Sequence, residues 1–214
     1  MADDATGNLR TEYPLRTLDE SGVHPDPFVQ FDRWFKEAMT IQSREPNAMV
    51  LATATRDGKP SVRVVLMKGF DERGFLFFTN YESRKSAELR ENPNAALLFH
   101  WSELEREVRL EGPVERAPQA ECEEYFRSRP REAQLGAWAS RQSEVIPDRT
   151  VLEQKVAELK ARFGDGPISL PPFWGGFRLR PHMFEFWQGR PNRLHDRIRS
   201  RLDAKGWVID RLSP

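Results

Sequence analysis

Positively charged side chains gather at four places in a chain whose charges otherwise cancel. The 214 residues include 33 Lys and Arg against 33 Asp and Glu, so the formal net charge at pH 7 is zero. A chain with this balance has no general attraction for nucleic acid or for an acidic membrane. An anionic ligand must therefore be bound by a local cluster of Lys and Arg side chains.

The first cluster lies at the start of a predicted helix, in the segment TNYESRKSAELREN. Ser83 is a good N-cap residue, but Arg84 and Lys85 follow it and add positive charge where the helix dipole is already positive. Each misplaced cation costs about a few tenths of a kcal/mol. A bound anion would reverse the sign of this effect, because free N–H groups, the dipole and two cations would face it. A solvated basic turn is the alternative.

The second cluster lies within the predicted strand SVRVVLMKGF, where Arg63 and Lys68 interrupt an apolar run. Cations that are buried or half-buried need a partner of opposite charge. The odd separation of the two residues predicts opposite faces of the strand unless a bulge intervenes. They would then serve different anions or different ends of one site. An exposed face with cross-strand salt bridges fits the pattern equally well.

The third cluster combines Arg side chains, a phenol and amides in the segment EEYFRSRPREAQLGAWASRQS. Guanidinium groups and a phenol suit phosphate oxygens, while amides suit the edge of a heteroaromatic ring. A helix with a basic outer face would account for the same composition. The residues concerned are Tyr125, Arg127, Arg129, Arg131, Gln134, Trp138, Gln142 and Ser143.

The fourth cluster follows an aromatic strand in EFWQGRPNRLHDR. Trp187 is predicted to end the strand, and Arg193, His195 and Arg197 are expected to alternate onto one face of the next segment. Two guanidinium groups beside His195 should lower its pKa and favour the neutral imidazole. The pattern gives Arg190 no role. A structural histidine is the alternative.

Short antiparallel strands and a few helices must position these clusters. Asp26 and Pro27 predict the start of a helix whose apolar face carries Phe28, Phe31, Trp34, Phe35 and Ala38. Helices are also predicted over 83–91, around 118–127 and over 148–163. Seven further β-rich runs with short links favour antiparallel pairing. They are AMVLATAT, FLFFTN, AALLFHW, EREVRLEGPVER, GFRLRP, MFEFWQ and WVIDRL.

The fold class predicted from these elements is mainly β (α+β), an antiparallel sheet or barrel with peripheral helices. Residues 1–25 are polar and without clear period, which predicts a flexible N-terminal arm. Residues 26–214 are predicted to form a single domain.

Several kinds of site and location are disfavoured by what the sequence lacks. Cys122 is the only cysteine, and no CxxC or HExxH motif predicts a metal site. Neither GxGxxG nor a P-loop motif is present, so a phosphate would have to be bound by the Arg and Lys clusters. There is no apolar signal region and no run near the roughly 18 apolar residues of a membrane helix. We therefore expect a cytoplasmic protein with no membrane or nucleic-acid partner.

The clusters, taken in order, resemble the pyridoxine/pyridoxamine 5′-phosphate oxidase family. The resemblance runs from LRTEY to DRLSP and rests on RVVLMK, FFTNYESRK, YFRSRPR, QLGAWASRQS, FWGGFRL, EFWQG and RLHDR. It implies a split β-barrel of the FMN-binding type and a homodimer with FMN at the subunit interface. It also implies oxidation of pyridoxine 5′-phosphate or pyridoxamine 5′-phosphate to pyridoxal 5′-phosphate by O₂, with H₂O₂ formed, and NH₃ from the amine.

The resemblance implies three sets of site residues, with the N-terminal arm acting as a lid over the substrate. The catalytic residues would be Arg193 and His195. The substrate-binding residues would be Arg10, Thr11, Glu12, Tyr13, Lys68, Tyr125, Arg129, Ala133, Arg193, Leu194 and His195. The cofactor-binding residues would be Arg63, Val64, Val65, Leu66, Met67, Lys68, Phe78, Thr79, Arg84, Lys85, Glu107, Gln142, Ser143, Trp187 and Arg197.

Two residues depart from the family pattern. Ala133 stands where the family usually has Ser, which removes a hydrogen bond to the substrate phosphate worth about 1–2 kcal/mol. Glu107, in LEREVR, replaces the Gln of LERQVR with an acceptor-only carboxylate, unless it is protonated or paired with a neighbour such as Arg106 or Arg109. An altered substrate or a deazaflavin cofactor is therefore an alternative. A non-catalytic protein that binds pyridoxal phosphate or FMN is another.

Overall fold

The computed structural model describes residue 13 and the ranges 15–41 and 44–214. The predicted lid residues Arg10, Thr11 and Glu12, and with them most of the predicted arm, lie outside the described residues. The chain divides into two compact units. The first comprises the described residues up to Asn47, together with Leu98–Leu110 and His182–Pro214, and the second comprises Ala48–Leu97 and Glu111–Pro181.

The described residues form five α-helices and ten strands. The helices are α1 (Pro27–Thr40), α2 (Arg84–Glu91), α3 (Gln119–Ser128), α4 (Arg131–Ala139) and α5 (Thr150–Phe163). The strands are β1 (Ala48–Ala54), β2 (Pro60–Leu66), β3 (Gly69–Asp71), β4 (Gly74–Asn80), β5 (Asn94–Trp101), β6 (Arg106–Arg116), β7 (Trp174–Leu179), β8 (Met183–Gln188), β9 (Asp196–Asp203) and β10 (Gly206–Leu212).

The first unit packs α1 onto an antiparallel sheet in the order β10-β9-β8-β6-β5. The Asp26 side chain caps α1 by accepting a hydrogen bond from the Phe28 N–H, as the sequence predicts. The helix buries Phe31 against Phe99 and Trp34 against Phe186, with ring centroids 5.0 and 5.4 Å apart. Burial of each such side chain contributes about 1.5–3 kcal/mol, so the apolar face holds α1 on the sheet.

The second unit pairs β1 with β2 and builds the path β3-β4-β7-β6. Thr53 on β1 lies opposite Ser61 on β2, and Arg63 lies two residues further along the same face of β2. Helices α3, α4 and α5 belong to this unit, where Phe126, Leu135 and Leu159 form a core cluster with Trp174. The register and this cluster fix the positions from which the polar residues of the unit project.

The predicted fold class is confirmed, with three local differences. The run SVRVVLMKGF is not one strand, because β2 ends at Leu66 and β3 begins at Gly69. Lys68 lies between the two strands, so the prediction that it lies on the strand face opposite to Arg63 is wrong. The sequence pattern does not indicate helix α4, because Pro130 and Gly136 both have low helix propensity. Residues 191–193 form a short 3₁₀ turn, and strand β9 begins only at Asp196.

Candidate functional site

A cavity of about 880 Å³ in the second unit is lined by most of the predicted site residues of that unit. Arg63 and Lys68 both line it, although the sequence pattern placed them on opposite faces. Met67 is buried and does not belong to the lining. The predicted residues on its wall are Arg63, Val64, Val65, Leu66, Lys68, Phe78, Thr79, Arg84, Lys85, Tyr125, Arg129, Ala133, Gln142 and Ser143.

Lys85 is a buried cation on the wall of this cavity. Its Nζ donates to Gln142 Oε1 at 2.8 Å and to Thr79 Oγ1 at 3.0 Å, and it lies 3.2 Å from Ser83 Oγ. Burial and the neighbouring Arg63 lower the pKa of Lys85 to about 8, while Glu88 opposes the shift. A cation whose charge is costly in the ligand-free protein is a strong partner for a bound anion.

The start of α2 lacks a side-chain cap. Ser83 occupies the N-cap position, but its hydroxyl donates to the Asn80 carbonyl and accepts from no backbone N–H of the helix. The Arg84 N–H donates to Ser143 Oγ at 3.2 Å, and Ser143 has a positive φ of 77°. The first turn of α2 therefore keeps the polarity that suits an anion, and Ser143 is held in an unusual backbone conformation beside it.

Glu88 lies behind these cations. It is a buried side chain of α2 that accepts hydrogen bonds from Arg63, Arg84 and two hydroxyl groups. Burial opposes its charge, but the hydroxyl donors and Arg84 outweigh that effect and lower the pKa of Glu88 to about 2. The sequence pattern did not single it out, since a Glu inside a polar helix carries no distinguishing signal.

A second group of cavity residues is organised by stacked rings. Phe78 stacks on Tyr125 with centroids 4.0 Å apart and on Trp174 with centroids 5.4 Å apart. Lys68 Nζ lies 5.9 Å from the centre of the Tyr125 ring, and the Arg129 guanidinium lies 4.8 Å from the centre of the Trp174 ring. The rings therefore hold a lysine and an arginine beside the Tyr125 phenol.

Arg129 carries an unsatisfied hydrogen-bond donor. Its NH1 atom is buried and has no hydrogen-bond partner within the part of the chain that the structure describes. Burial lowers the pKa of this guanidinium. Because an unpaired buried donor costs about 1–3 kcal/mol, a ligand oxygen at this position would be stabilising.

Other members of the third cluster have structural contacts. Arg131 donates to the carbonyls of Gly164 and Gly166 just beyond α5. Gln134 donates to the Arg127 and Arg129 carbonyls, at 3.3 and 2.9 Å, and the Trp138 indole donates to the Ser169 carbonyl. These contacts shape the second unit, and none of the three residues lines the cavity.

The first unit holds the remaining predicted residues on β6, β8, β9 and the turn before β9. Trp187 pairs with Arg197 across β8 and β9, so both lie on the face that also carries Glu185. Arg197 forms a two-point ion pair with buried Glu185, with Nε–Oε1 and NH2–Oε2 distances of 2.7 and 3.1 Å. This geometry fixes the guanidinium of Arg197 in one orientation.

The Glu107 carboxylate forms an ion pair with a neighbouring arginine. Its Oε2 accepts from Arg109 NH2 at 2.6 Å and from Arg109 Nε at 3.1 Å. Arg109 NH1 also lies 3.5 Å from Glu185. The carboxylate that departs from the family pattern is therefore neutralised by the neighbouring arginine.

His195 is held by aromatic rings and by a backbone donor. Its ring centre lies 4.6 Å from that of Trp187 and 5.6 Å from that of Tyr13. The backbone N–H of Arg190 donates to Nδ1 at 3.1 Å. Burial, followed by the charge of Arg193, lowers the pKa of His195, which confirms the predicted direction, although Arg197 is not among the causes.

The predicted alternation of Arg193, His195 and Arg197 along one strand face is wrong. Asn192 and Arg193 have positive φ values of 57° and 62° in the 3₁₀ turn, which breaks the strand period before β9. Leu194 is 69% exposed. Arg190, to which the sequence pattern gave no role, contacts His195 through its backbone and lies 3.5 Å from Asp196 through its side chain.

Within the described ranges, no helix is long and apolar enough to cross a membrane.

The chain is similar to known proteins over almost its whole length. Residues 35–163 match the family model described as pyridoxamine 5′-phosphate oxidase, and residues 174–214 match that of the pyridoxine 5′-phosphate oxidase C-terminal dimerisation region. A pyridoxine/pyridoxamine 5′-phosphate oxidase of Burkholderia thailandensis is 58% identical over 210 residues, covering 97% of this chain and 98% of that protein.

Two solved structures share the fold. PhzG from Burkholderia lata 383, solved with tetrahydrophenazine-1-carboxylic acid, has a TM-score of 0.87 and 33% identity, covering 94% of this chain and 99% of that one. A pyridoxamine 5′-phosphate oxidase-related, FMN-binding protein from Nostoc punctiforme has a TM-score of 0.67 and 16% identity, covering 86% and 95%. The second likeness concerns the fold alone.

The fold is an antiparallel split barrel, and the similarity to named oxidases supports an oxidoreductase of this class. The chain belongs to the pyridoxamine 5′-phosphate oxidase family.

Proposed function

We propose that the protein is an FMN-dependent oxidase that converts pyridoxine 5′-phosphate or pyridoxamine 5′-phosphate to pyridoxal 5′-phosphate. The observation that carries the proposal is the presence of two cation groups on the wall of one cavity. One contains Arg63, Arg84 and Lys85, and the other contains Lys68 and Arg129. Two phosphate-bearing molecules, a cofactor and a substrate, would use both groups.

The first cation group fits the phosphate of FMN. Its donors are a buried ammonium, two guanidinium groups and an uncapped helix start, which together suit a phosphate monoester. Thr79, Gln142 and Ser143 add neutral hydrogen-bonding groups beside it. When bound, FMN supplies the acceptor for the two electrons removed at C4′ of the substrate, and O₂ takes them on to give H₂O₂.

The second cation group fits the phosphate of the substrate. The unpaired NH1 of Arg129 would gain an acceptor, while Lys68 and the Tyr125 phenol would add two further donors. The stacked rings of Phe78, Tyr125 and Trp174 keep these donors in place. Ala133, on the same wall, contributes no polar atom from its side chain.

The remaining predicted residues are proposed to act on the two rings. Arg193 and His195 would face the pyridine, with His195 presenting a neutral imidazole because burial and Arg193 disfavour its charged form. Trp187 and Arg197 would contact the flavin, and Glu185 fixes the Arg197 guanidinium for this task. These residues orient the reacting groups and supply fixed charge, in keeping with the usual role of protein in cofactor enzymes.

We also propose a homodimer with FMN at the subunit interface. The match of residues 174–214 to a C-terminal dimerisation region supports the dimer. The location of FMN at the subunit interface is implied by the family resemblance.

One assay tests the proposed function. The purified protein is examined for the visible absorption of bound flavin, and pyridoxamine 5′-phosphate is then added in air. We expect formation of pyridoxal 5′-phosphate and H₂O₂ in equal amounts. A protein that binds no flavin, or that binds flavin but forms neither product, would overturn the proposal.

A second candidate is oxidation of a phenazine precursor, as suggested by the structural likeness to PhzG. That reading gains support from Ala133, which leaves the second cation group without the usual hydroxyl. The same assay with a reduced phenazine carboxylate in place of the B6 vitamer separates the two candidates. Turnover of the phenazine at a higher kcat/KM than the phosphorylated pyridine would favour the second one.

A further inference from the structure

Glu88 has an unusual position for a carboxylate, because it is only 3% exposed and contacts two of the cations that line the cavity, Arg63 and Arg84. Its Oε1 accepts from Arg84 Nε at 2.9 Å. Its Oε2 accepts from Thr53 Oγ1 and Ser61 Oγ, both at 2.5 Å, and lies 3.3 Å from Arg63 NH2. Both oxygens of the carboxylate are therefore used by donors on β1, β2 and α2.

Glu88 contacts two arginines whose other contacts differ. Arg63 NH1 donates to the Leu51 carbonyl at 3.1 Å and to Thr53 Oγ1 at 2.5 Å, so its guanidinium is tied to the same hydroxyl that Glu88 accepts from. The Arg84 side chain is 64% exposed, and its Nε–Glu88 contact is the one ion pair that it forms among the described residues. Without Glu88, this long side chain would be free to sample other rotamers.

We propose that Glu88 is a positioning residue that holds Arg63 and Arg84 in the orientation that binds the cofactor phosphate. The inference rests on the proposed function, because that function places a phosphate at this end of the cavity. A carboxylate this close to an anion site would otherwise weaken binding by repulsion. Its place at the centre of a satisfied hydrogen-bond network points to a gain in orientation that exceeds this cost.

The local charges are consistent with this role. Arg63, Arg84 and protonated Lys85 carry three positive charges, and Glu88 carries one negative charge. The net charge of plus two matches the charge of about minus two on a phosphate monoester near neutral pH. Glu88 also keeps three like charges together in the ligand-free protein, which reduces their mutual repulsion.

Replacement of Glu88 by Gln separates orientation from charge, because the two effects have opposite signs. Removal of a negative charge alone would tighten the binding of an anion. However, an amide has one acceptor oxygen, and its NH2 group would face a guanidinium donor of Arg63 or Arg84. The hydroxyls of Thr53 and Ser61 can rotate to accept from that NH2, but a guanidinium cannot.

The first test measures FMN affinity by quenching of flavin fluorescence at about pH 6.5, where Lys85 is protonated. We expect Glu88→Gln to raise the Kd for FMN by about tenfold or more. Glu91→Gln removes the same charge from an exposed position of the same helix and should leave the Kd within about twofold. Unchanged or tighter binding by Glu88→Gln would overturn the proposal.

The second test needs no ligand and therefore stands apart from the proposed function. In the ligand-free protein, the Arg84 Nε–H should give a ¹⁵N–¹H signal protected from solvent exchange, identified by its loss in Arg84→Lys. We expect the protection to be lost in Glu88→Ala, which removes both acceptor oxygens, and kept in Glu91→Ala. An unprotected signal in the wild type would show that Glu88 does not hold Arg84. Protection without FMN binding would leave the role of Glu88 intact and refute the proposed function instead.

A milder variant guards against a folding defect. Ser61→Ala removes the hydroxyl that links Arg63 to Glu88 but leaves the Arg84 contact in place. It should raise the Kd for FMN by about threefold and leave the Arg84 Nε–H signal protected. A Kd equal to that of the wild type would show that Arg63 is not held through Ser61 and would overturn the Arg63 part of the proposal.

Discussion

The backbone N–H of Arg190 donates a hydrogen bond to Nδ1 of His195 across 3.1 Å. A neutral imidazole that accepts at Nδ1 must carry its proton on Nε2. Burial and the charge of Arg193 both favour that neutral form by lowering the pKa of His195. His195 therefore offers a hydrogen-bond donor at Nε2, and a mechanism that uses it as a base at Nε2 would first require the ring to change tautomer.

The charge of Arg193 should be measurable in the titration of His195. Because Arg193 lowers the pKa of His195, Arg193→Gln should raise it and move the midpoint to higher pH. The imidazole C–H signals of His195, followed by NMR as pH is varied, give this midpoint directly. Lys205→Gln, an exposed charge removal in the turn after β9, should leave it unchanged. An unmoved midpoint in Arg193→Gln would contradict the expectation.

Gly189 allows Tyr13 to pack beside His195. A Cβ atom at position 189 would lie 2.8 Å from both Cβ and Cγ of Tyr13, which is closer than atoms can approach. Gly189→Ala should therefore displace Tyr13 from its contacts with Trp187 and His195. We expect a changed tryptophan fluorescence and a KM for the substrate raised by a few-fold. Tyr13→Ala should raise the KM to a similar extent, and a KM in either variant that is unchanged or lower than that of the wild type would contradict this role.

Ala133 should limit the affinity for the phosphorylated substrate. It lies in the first turn of α4, on the cavity wall that also carries Arg129 with its unpaired NH1. Ala133→Ser adds a hydroxyl that can donate to a phosphate oxygen, so KM should fall by up to about tenfold with little change in kcat. Ala139→Ser, at the end of the same helix, serves as the control. An unchanged KM would mean that other donors already satisfy the phosphate.

The sequence predicts what depends on local pattern and fails where packing decides. The α1 cap at Asp26 and the helix start at Arg84 follow from residue type and spacing. The break between β2 and β3 does not, and neither does the positive φ at Arg193, because both depend on neighbouring strands and turns. Glu88 was missed for the same reason: its importance lies in its contacts with β1 and β2, which the sequence does not display.

The Glu107–Arg109 ion pair changes what is expected of the residue that departs from the family pattern. From the sequence, Glu107→Gln should tighten FMN binding or speed flavin reduction, unless the carboxylate is already neutralised. Arg109 supplies that neutralisation at 2.6 Å. We therefore expect the Kd for FMN to change by less than about threefold, since a partly exposed pair is worth about 1 kcal/mol or less.

A matched variant shows whether Arg109 is the cause. In Arg109→Gln the Glu107 carboxylate loses its partner, so adding Glu107→Gln to that background should improve FMN binding more than it does in the wild type. Equal effects in the two backgrounds would show that the pair is not coupled. A large gain from Glu107→Gln alone would show that the carboxylate acts as a free charge.

Lys85 should make anion binding depend on pH. In the ligand-free protein its pKa is lowered from 10.5 to about 8 by burial and by Arg63. The folded state then binds fewer protons than the unfolded state between about pH 8 and 10.5, so the free energy of unfolding should increase with pH in this window. A bound phosphate favours the ammonium form, so FMN affinity should change in the opposite direction and fall as pH rises through 8.

Lys85→Arg isolates this effect, because a guanidinium keeps its charge throughout the range. For the wild type we expect the Kd for FMN to rise by about tenfold between pH 7 and pH 9. For Lys85→Arg we expect a Kd that is nearly constant with pH, whatever its absolute value. Fluorescence titrations at several pH values measure both curves. A flat curve for the wild type, or the same rise in Lys85→Arg, would show that a group other than Lys85 governs the binding of the anion.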